Sequence, residues 1–245
     1  ATAGPVSRWL EAHDHAPRAV LSGSLVVLSA GSNTGPEDWG VPTRPPEAHG
    51  QLGRAVAAVE GPCTLRPVGM PGFGIPCSQQ VCKVAAGGYH CWALTTAGTA
   101  WAWGANAFGM LGLGDRASRQ LPQPVALPDA AEAIDVVCGF AFTLVRLRGG
   151  GGGVLACGFN RNGRCGVPED DPATTRSEDG DALLLRPTRC AAAEHACARG
   201  ATIVAMAAGS GHAGFVCSDG TARLFGRNDR GQCGRSTRRP SRPAA

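Results

Sequence analysis

The chain has 245 residues, of which 36 are glycine and 18 are proline, and it carries a formal net charge of +4 at pH 7 with 17% charged residues. Glycine and proline interrupt helices, so this composition excludes a helical bundle, and the low charge argues against a coiled coil or a disordered chain. We therefore expect short strands joined by many turns. No run of about 18 apolar residues occurs, so we expect no transmembrane segment.

Four segments of the sequence repeat one pattern of histidine, asparagine and glycine. They cover approximately residues 12–60, 84–128, 136–188 and 204–234. The histidine and the asparagine keep one spacing in the second and fourth units, which indicates a structural repeat. The shared positions are His15, His90 and His212, then Asn33, Asn106, Asn160 and Asn228, then Gly109, Gly163 and Gly231.

The second unit predicts the structure of one repeat. Residues 90–95 and 99–103 are short apolar runs separated by a turn at Gly98, which predicts a hairpin. Extended runs at 121–127 and 134–137 predict the third and fourth strands of the same unit. Four strands per unit are typical of a β-propeller blade, so we predict an all-β fold.

The repeated polar residues are expected to be structural. Asparagine tolerates left-handed geometry and can hydrogen-bond the chain two residues on, which suits it to open a glycine-rich loop. We expect each repeated histidine to bond the backbone of the next loop through a ring nitrogen. Equivalent positions of a ring lie too far apart to share a metal ion, so we do not expect these histidines to be metal ligands.

Residues 84–112 read Val-x-x-Gly-x-x-His-x-x-Ala-Leu-Thr-x-x-Gly and then, from Trp103, Trp-Gly-x-Asn-x-x-Gly-x-Leu-Gly. This pattern resembles the repeat of the regulator of chromosome condensation family, and residues 204–234 are similar to it. The resemblance implies a β-propeller over residues 1–234, and members of this family usually close a ring of seven blades. Four repeats therefore predict an incomplete ring or arc, or a fragment of a longer protein; a compact four- or five-bladed ring is the alternative.

The sequence offers no motif for catalysis or metal binding. It contains no Gly-x-Ser-x-Gly, no Cys-x-x-Cys and no matched pair of carboxylates. The glycine-rich loops lack the helix N-terminus and the lysine of a phosphate site. We predict a protein that is not an enzyme and that takes no cofactor, metal or small-molecule substrate.

The eleven cysteines fall into two sets. Four occupy repeat positions that other units fill with core residues, which predicts small buried side chains. These four are Cys157, Cys165, Cys217 and Cys233. Other cysteines lie between units, and among them Cys190 and Cys197 are the best-placed candidate disulfide if the compartment is oxidising.

Two insertions break the repeat and are candidates for partner binding. Residues 34–49 place Trp39 in a proline-rich loop, where an exposed indole could anchor a partner. Residues 167–183 carry an excess of acidic residues, which favours either a solvated loop or docking to a basic neighbour. Those residues are Glu169, Asp170, Asp171, Glu178, Asp179 and Asp181.

Positive charge collects at the C-terminal end of the sequence. The rest of the chain is close to neutral and offers no surface for phosphates, so nucleic-acid binding is expected only through the Arg/Pro-rich tail at residues 235–245. The arginines of this tail are Arg235, Arg238, Arg239 and Arg242.

These observations predict a non-enzymatic interaction or scaffold subunit of a larger protein assembly. The sequence opens at Ala1 without methionine, which favours removal of a presequence and an organellar location, in a plastid or a mitochondrion, with secretion as the alternative. The resemblance implies a second function, regulation of a small GTPase, because founding members are described as exchange factors for Ran. Tethering to nucleic acid through the tail is the third hypothesis.

Overall fold

The computed structural model describes residues 28–29, 66–67, 75–76, 78–149, 153–198 and 200–235. Most of the first repeat unit and the insertion at 34–49 lie outside the described residues, as does the tail beyond Arg235. The predicted residues that fall there are His15, Asn33, Trp39, Arg238, Arg239 and Arg242. Among the described helices, none is long and apolar enough to cross a membrane.

The described residues form four antiparallel sheets, which we number after the repeat units. The first sheet pairs β1 (Leu28–Ser29) with β2 (Arg66–Pro67). The second contains β3 (Val81–Ala86), β4 (His90–Thr95), β5 (Ala100–Gly104) and β6 (Arg119–Val125). The third contains β7 (Ala133–Cys138), β8 (Phe142–Leu147), β9 (Val154–Phe159), β10 (Thr175–Arg176) and β11 (Ala182–Arg189). The fourth contains β12 (Ile203–Ala208), β13 (His212–Cys217) and β14 (Ala222–Gly226), and a short helix, α1 (Ala191–Cys197), precedes it.

Apolar side chains fill the space between consecutive sheets. Trp92 of β4 belongs to one buried cluster with Val145 and Leu155 of the third sheet. Leu144 of β8 belongs to a second cluster with Phe215 of the fourth sheet. Because the middle strands are covered on both faces, they read in the sequence as continuous apolar runs rather than as alternating ones.

The prediction that residues 134–137 form the fourth strand of the second unit is wrong. They lie in β7 and pair with β8 of the third sheet, with Val136 opposite Val145. The second, third and fourth sheets therefore each start with the strand that precedes the histidine position of their unit, and the second sheet ends with β6. The physical reason is local: a short turn at Gly139 joins β7 to β8, so the two strands pair as a hairpin.

The buried cysteines occupy the core as predicted, but the candidate disulfide is absent. Cys190 and Cys197 are free thiols that flank and end α1. Seven residues of helix separate their backbones by about 10 Å, beyond the roughly 7 Å that a disulfide can bridge. Burial raises the pKa of the Cys190 thiol to about 12, which keeps it protonated.

Polar contacts connect three consecutive sheets. Lys83 of β3 forms an ion pair with Asp135 of β7, and Asp135 lies 3.9 Å from the Arg146 guanidinium. Arg146 Nη1 in turn donates to the carbonyl of Ile203 in β12 at 2.7 Å. Partly exposed ion pairs contribute little to stability, so the effect of these contacts is to fix the register between neighbouring sheets.

Candidate protein-interaction surface

His90 connects the second sheet to the third. Its side chain is fully buried, and Nε2 lies 2.8 Å from the Thr143 hydroxyl of β8. That hydroxyl donates to the Met110 carbonyl at 3.1 Å, so its oxygen accepts a hydrogen bond from the His90 Nε2–H. The structural role is as predicted, but the expected partner is wrong, because the ring bonds a side chain of the next sheet rather than the backbone of a loop.

The repeat position of His90 differs in the third sheet in residue type and in the fourth sheet in burial. The third sheet places Phe142 there, and this ring packs in the same apolar cluster as Ala213 of the fourth sheet. His212 of the fourth sheet is half-buried. The polar pair of the first junction is thus replaced by an apolar pair at the second.

The repeated asparagines close the glycine-rich loops, over a longer distance than predicted. Asn160 Oδ1 accepts from the Cys165 N–H at 3.1 Å, and its Nδ2 donates to the Val167 carbonyl at 2.9 Å. The expected bond two residues on is therefore wrong, because the side chain bonds residues five and seven positions ahead. Asn106 and Asn228 also accept from the N–H five residues on.

Replacing Asn160 with alanine is expected to lower the free energy of unfolding by about 2–4 kcal/mol, because a buried N–H and a buried carbonyl both lose their partners. Asn228→Ala removes the matching bonds from a half-buried loop, where water can replace them, so we expect less than about half that loss. Urea unfolding of the two variants measures the difference. Equal losses would show that the burial of Asn160 is unimportant.

The repeated glycines of these loops adopt left-handed backbone geometry. Gly109, Gly163 and Gly231 have φ values of +78°, +64° and +75°. Residues that carry a side chain rarely adopt such φ values, so the turn requires glycine at these positions. Glycine has no side chain that could bind a ligand.

The acidic insertion forms a hairpin rather than an unpaired loop. Arg176 of β10 pairs with Ala182 of β11. Val167 and Leu183, at the two ends of the predicted insertion at 167–183, are buried in the core, whereas residues 168–181 between them are exposed or partly exposed. We call this segment the acidic hairpin.

Two of the six acidic residues bind cations of the same chain. Glu169 Oε2 lies 3.9 Å from the Arg176 guanidinium, and Asp181 lies 4.0 Å from that of Arg161. The other four form no ion pair within the described residues; they are Asp170, Asp171, Glu178 and Asp179. No three metal-ligating side chains cluster around one point in the described part of the chain.

Arg235 hydrogen-bonds to the fourth sheet and to the loop that follows it. Its guanidinium donates to the Leu224 carbonyl of β14, and its own carbonyl accepts from Asn228 Nδ2 at 3.2 Å. Arg235 remains exposed, and its role as a partner-binding residue stays a prediction. Nucleic-acid binding through the remaining tail stays a prediction.

An aromatic rim adjoins the acidic hairpin, and the sequence did not reveal it. We define the rim as Tyr89, Phe108, Phe140 and Phe159. Tyr89 meets Phe140 edge to face with ring centroids 5.4 Å apart, and Phe108 stacks on Phe159 at 4.8 Å. Phe140 is 38% exposed. Tyr89 lies one residue and Phe140 two residues before the histidine position of its unit, so the repeat alignment gave no shared signal that could have identified them.

Arg164 contacts both the rim and Arg161, a residue that lies 4.0 Å from Asp181 of the acidic hairpin. Its guanidinium lies 4.5 Å from the Phe159 ring centroid, and its Nε donates to the Arg161 carbonyl at 2.9 Å. Burial, together with the cations Arg227 and Arg161, lowers the pKa of Arg164, which still remains charged at neutral pH. Aromatic, cationic and acidic groups thus lie near one another, and such a combination suits protein recognition.

Comparison with known proteins identifies the repeat. Residues 81–109 and 97–146 match models of the regulator of chromosome condensation (RCC1) repeat. The probable E3 ubiquitin-protein ligase HERC3 from Homo sapiens is 32% identical over 189 residues, which are 76% of this chain and 16% of HERC3.

The fold is similar to that of yeast RCC1. The structure of Kap60 bound to yeast RCC1 (Prp20) matches with a TM-score of 0.59 and 26% identity, over 74% of this chain and 38% of that one. A structure of Prp20p from Saccharomyces cerevisiae, described with its binding properties to Gsp1p and histones, matches with a TM-score of 0.58 and 27% identity, over 73% and 39%. The chain thus spans less than half the length of these relatives. With its antiparallel sheets and repeated loops, it belongs to the regulator of chromosome condensation repeat family of β-propellers.

Proposed function

We propose that this chain is a non-enzymatic interaction subunit of a larger assembly and that the acidic hairpin docks a basic segment of a protein partner. An RCC1-type propeller supports a role in protein interaction. The observation that carries the proposal is the set of four hairpin carboxylates that have no cation partner within the described residues. An organellar setting stays a prediction.

The hairpin is built to present these carboxylates. β10 pairs with β11, which is anchored in the core, and the Asn162 N–H donates to Glu169 Oε1 at 2.7 Å. Asp171 Oδ1 accepts from the Ala173 N–H at 2.8 Å. Because the backbone is held in place, a partner gains the attraction of fixed charges without ordering the loop on binding.

Basic proteins are the natural probe for this surface. The related Prp20p has been described with its binding properties to histones. Histones are basic proteins that bind DNA through arginine side chains. We expect purified histones to bind the full chain with an affinity that falls as salt rises, because exposed charges are screened. Fluorescence anisotropy of labelled histones measures this affinity.

A hairpin variant tests the site. Neutralising Asp170, Asp171, Glu178 and Asp179 together is expected to weaken histone binding about tenfold or more, which corresponds to about 1.4 kcal/mol. The matched control makes an equal charge change elsewhere, with Asp129→Asn, Glu132→Gln, Glu194→Gln and Asp219→Asn. Equal weakening by both variants would mean that net charge alone drives binding, and unchanged affinity of the hairpin variant would refute the docking site.

Regulation of a small GTPase is the second candidate. It is supported by the likeness to Prp20p, which is described with its binding properties to Gsp1p. The chain spans 39% of that protein, so the full exchange surface is not implied. Release of labelled nucleotide from a GTPase in the presence of catalytic amounts of this chain decides the question.

A further inference from the structure

Arg164 is a cation at a position where the second and fourth repeat units have none. It lies four residues after Asn160, and the equivalent residues of those two units are Met110 and Gln232. Met110 is 2% exposed, so the second unit uses this position for core packing. The glycine-rich loop therefore does not require an arginine, which makes Arg164 a candidate for a separate role.

The guanidinium of Arg164 is held by two contacts. It lies 4.5 Å from the ring centroid of Phe159, which in turn stacks on Phe108 at 4.8 Å. Its Nε donates to the Arg161 carbonyl at 2.9 Å. These contacts involve one face and the Nε of the planar group, and within the described residues neither Nη1 nor Nη2 has a hydrogen-bond partner. These two nitrogens can together bind both oxygens of a carboxylate.

No carboxylate forms an ion pair with Arg164 within the described residues. Asp181 lies 4.0 Å from Arg161, and Asp229 pairs with Arg227. Burial, together with Arg227 and Arg161, lowers the pKa of the Arg164 guanidinium, because a poorly hydrated site and like charges disfavour the cation. An anion that binds there relieves this repulsion and is less screened by water than an anion at an exposed arginine.

A short loop places an exposed aromatic ring close to Arg164. A Cβ built on Gly211 would lie 3.7 Å from the Arg164 Cζ. The carbonyl of the preceding residue, Ser210, accepts from the Phe140 N–H at 3.2 Å. Phe140 is 38% exposed and belongs to the aromatic rim. The loop at residues 209–211 therefore lies between the guanidinium and this ring, so a short peptide can reach both.

The surroundings favour a carboxylate of a protein over the phosphates of a nucleic acid. Arg161, whose carbonyl bonds Arg164, lies 4.0 Å from Asp181 of the acidic hairpin. Four other carboxylates of the hairpin form no ion pair within the described residues, and they would repel a chain of phosphates. A protein segment can place a single negative charge beside an apolar side chain, which matches Arg164 beside Phe140.

We propose that Arg164 binds an aspartate or glutamate side chain of a protein partner through Nη1 and Nη2, and that an aromatic or aliphatic residue next to this acid packs on Phe140. No carboxylate of the acidic hairpin takes part. This inference therefore stands or falls separately from the proposed docking of a basic segment on the hairpin.

Selection of peptides from a random library displayed on phage tests the proposal. Phage that bind the full chain but not its Arg164→Gln variant are kept, which discards peptides that bind only the acidic hairpin. We expect the retained peptides to share an acidic residue next to an aromatic or aliphatic one. Arg164→Gln introduces the residue type that the fourth unit has at this position, Gln232, so this variant is expected to fold.

Fluorescence anisotropy of one labelled, retained peptide measures the contribution of each group. Arg164→Gln, or a change of the peptide's acid to its amide, should each weaken binding about tenfold or more, and both changes together should weaken it little further. Phe140→Ser introduces the residue type of Ser210 and should weaken binding about threefold or more. Arg223→Gln is the matched control and should leave the affinity unchanged, because Arg223 is exposed and forms no ion pair within the described residues.

The proposal is overturned if no phage depends on Arg164, if the retained peptides lack an acidic residue, or if Arg223→Gln weakens binding as much as Arg164→Gln does. Single-stranded DNA that binds the wild-type chain but not the Arg164→Gln variant would assign the site to phosphates and overturn the proposal as well. If Arg164→Gln fails to fold, Arg164→Lys replaces it in the selection, because lysine keeps the charge but lacks the paired nitrogens.

Discussion

Replacing Gly158 with alanine is expected to lower the free energy of unfolding by about 3–5 kcal/mol. Gly158 has a φ of +106°, and a Cβ there would lie 2.5 Å from the Ala141 carbonyl oxygen and 2.7 Å from the Phe142 Cα. Both are backbone atoms where the chain enters β8, so no change of rotamer relieves the clash.

Gly149 is a matched control for this substitution. Its φ of +103° is nearly the same, but no heavy atom lies within 4 Å of a Cβ built there. Gly149→Ala therefore carries only the backbone strain, about 1–3 kcal/mol. Chemical denaturation of both variants separates the two contributions, and equal losses would contradict the close approach at Gly158.

The protein is expected to lose stability in mild acid because of His90. Burial lowers the pKa of this side chain to about 3, whereas in the unfolded chain it is about 6.5. Between these values the unfolded state binds the extra proton, so the free energy of unfolding falls as pH decreases, by up to about 1.4 kcal/mol per pH unit. From about one pH unit above 6.5 the histidine is neutral in both states and contributes no pH dependence.

His90→Phe tests this dependence with a residue that the repeat itself uses at position 142. Between pH 7 and pH 4.5 the wild-type chain should lose about 2–3 kcal/mol more than the variant does. Urea unfolding at several pH values measures the loss. Parallel pH profiles would show that His90 does not control acid stability.

A double-mutant cycle with Thr143 completes this test. Thr143→Ala leaves the buried His90 Nε2 without its partner and should cost about 1–3 kcal/mol. In the His90→Phe background, Thr143→Ala should lower the free energy of unfolding by less, because no histidine then needs the hydroxyl. The two substituted positions then hold phenylalanine and alanine, the same residue types as Phe142 and Ala213 at the next junction. Additive losses would contradict direct coupling of the two side chains.

Spacing in the sequence was sufficient to predict the features that depend on near neighbours in the chain. The repeat pattern predicted residues 90–95 as a strand, and β4 has those bounds. It also predicted that Cys157 and Cys165 are core residues, and both are buried. The repeat pattern predicts these features correctly because residues at one such repeat position have similar surroundings in each sheet.

Features that depend on contacts between units could not be predicted in this way. The run at 134–137 has strand character in either sheet, and only the hairpin turn assigns it to the third. The bond from His90 to Thr143 spans 53 residues. The helix α1 was missed because its alanine-rich sequence lies between repeats, where the repeat pattern gives no expectation, although alanine favours helices.

The acidic surface illustrates the same limit. Composition identified the six carboxylates, but only the fold shows that Glu169 and Asp181 lie near cations of the same chain. The aromatic rim was missed because Tyr89 and Phe140 come together from the loops of different repeat units. Repeat position alone did not indicate which of these side chains would be exposed.

The different residue pairs at the two blade junctions bear on how a repetitive chain avoids misassembly during folding. If the second blade docked directly on the fourth, His90 would be buried against Ala213, with no hydroxyl to accept a hydrogen bond from its ring N–H. An unpaired buried group of this kind costs about 1–3 kcal/mol. Docking of two blades that are not adjacent in the chain is therefore unfavourable. The side chains at the junctions thus favour the correct order of blades, in addition to chain connectivity.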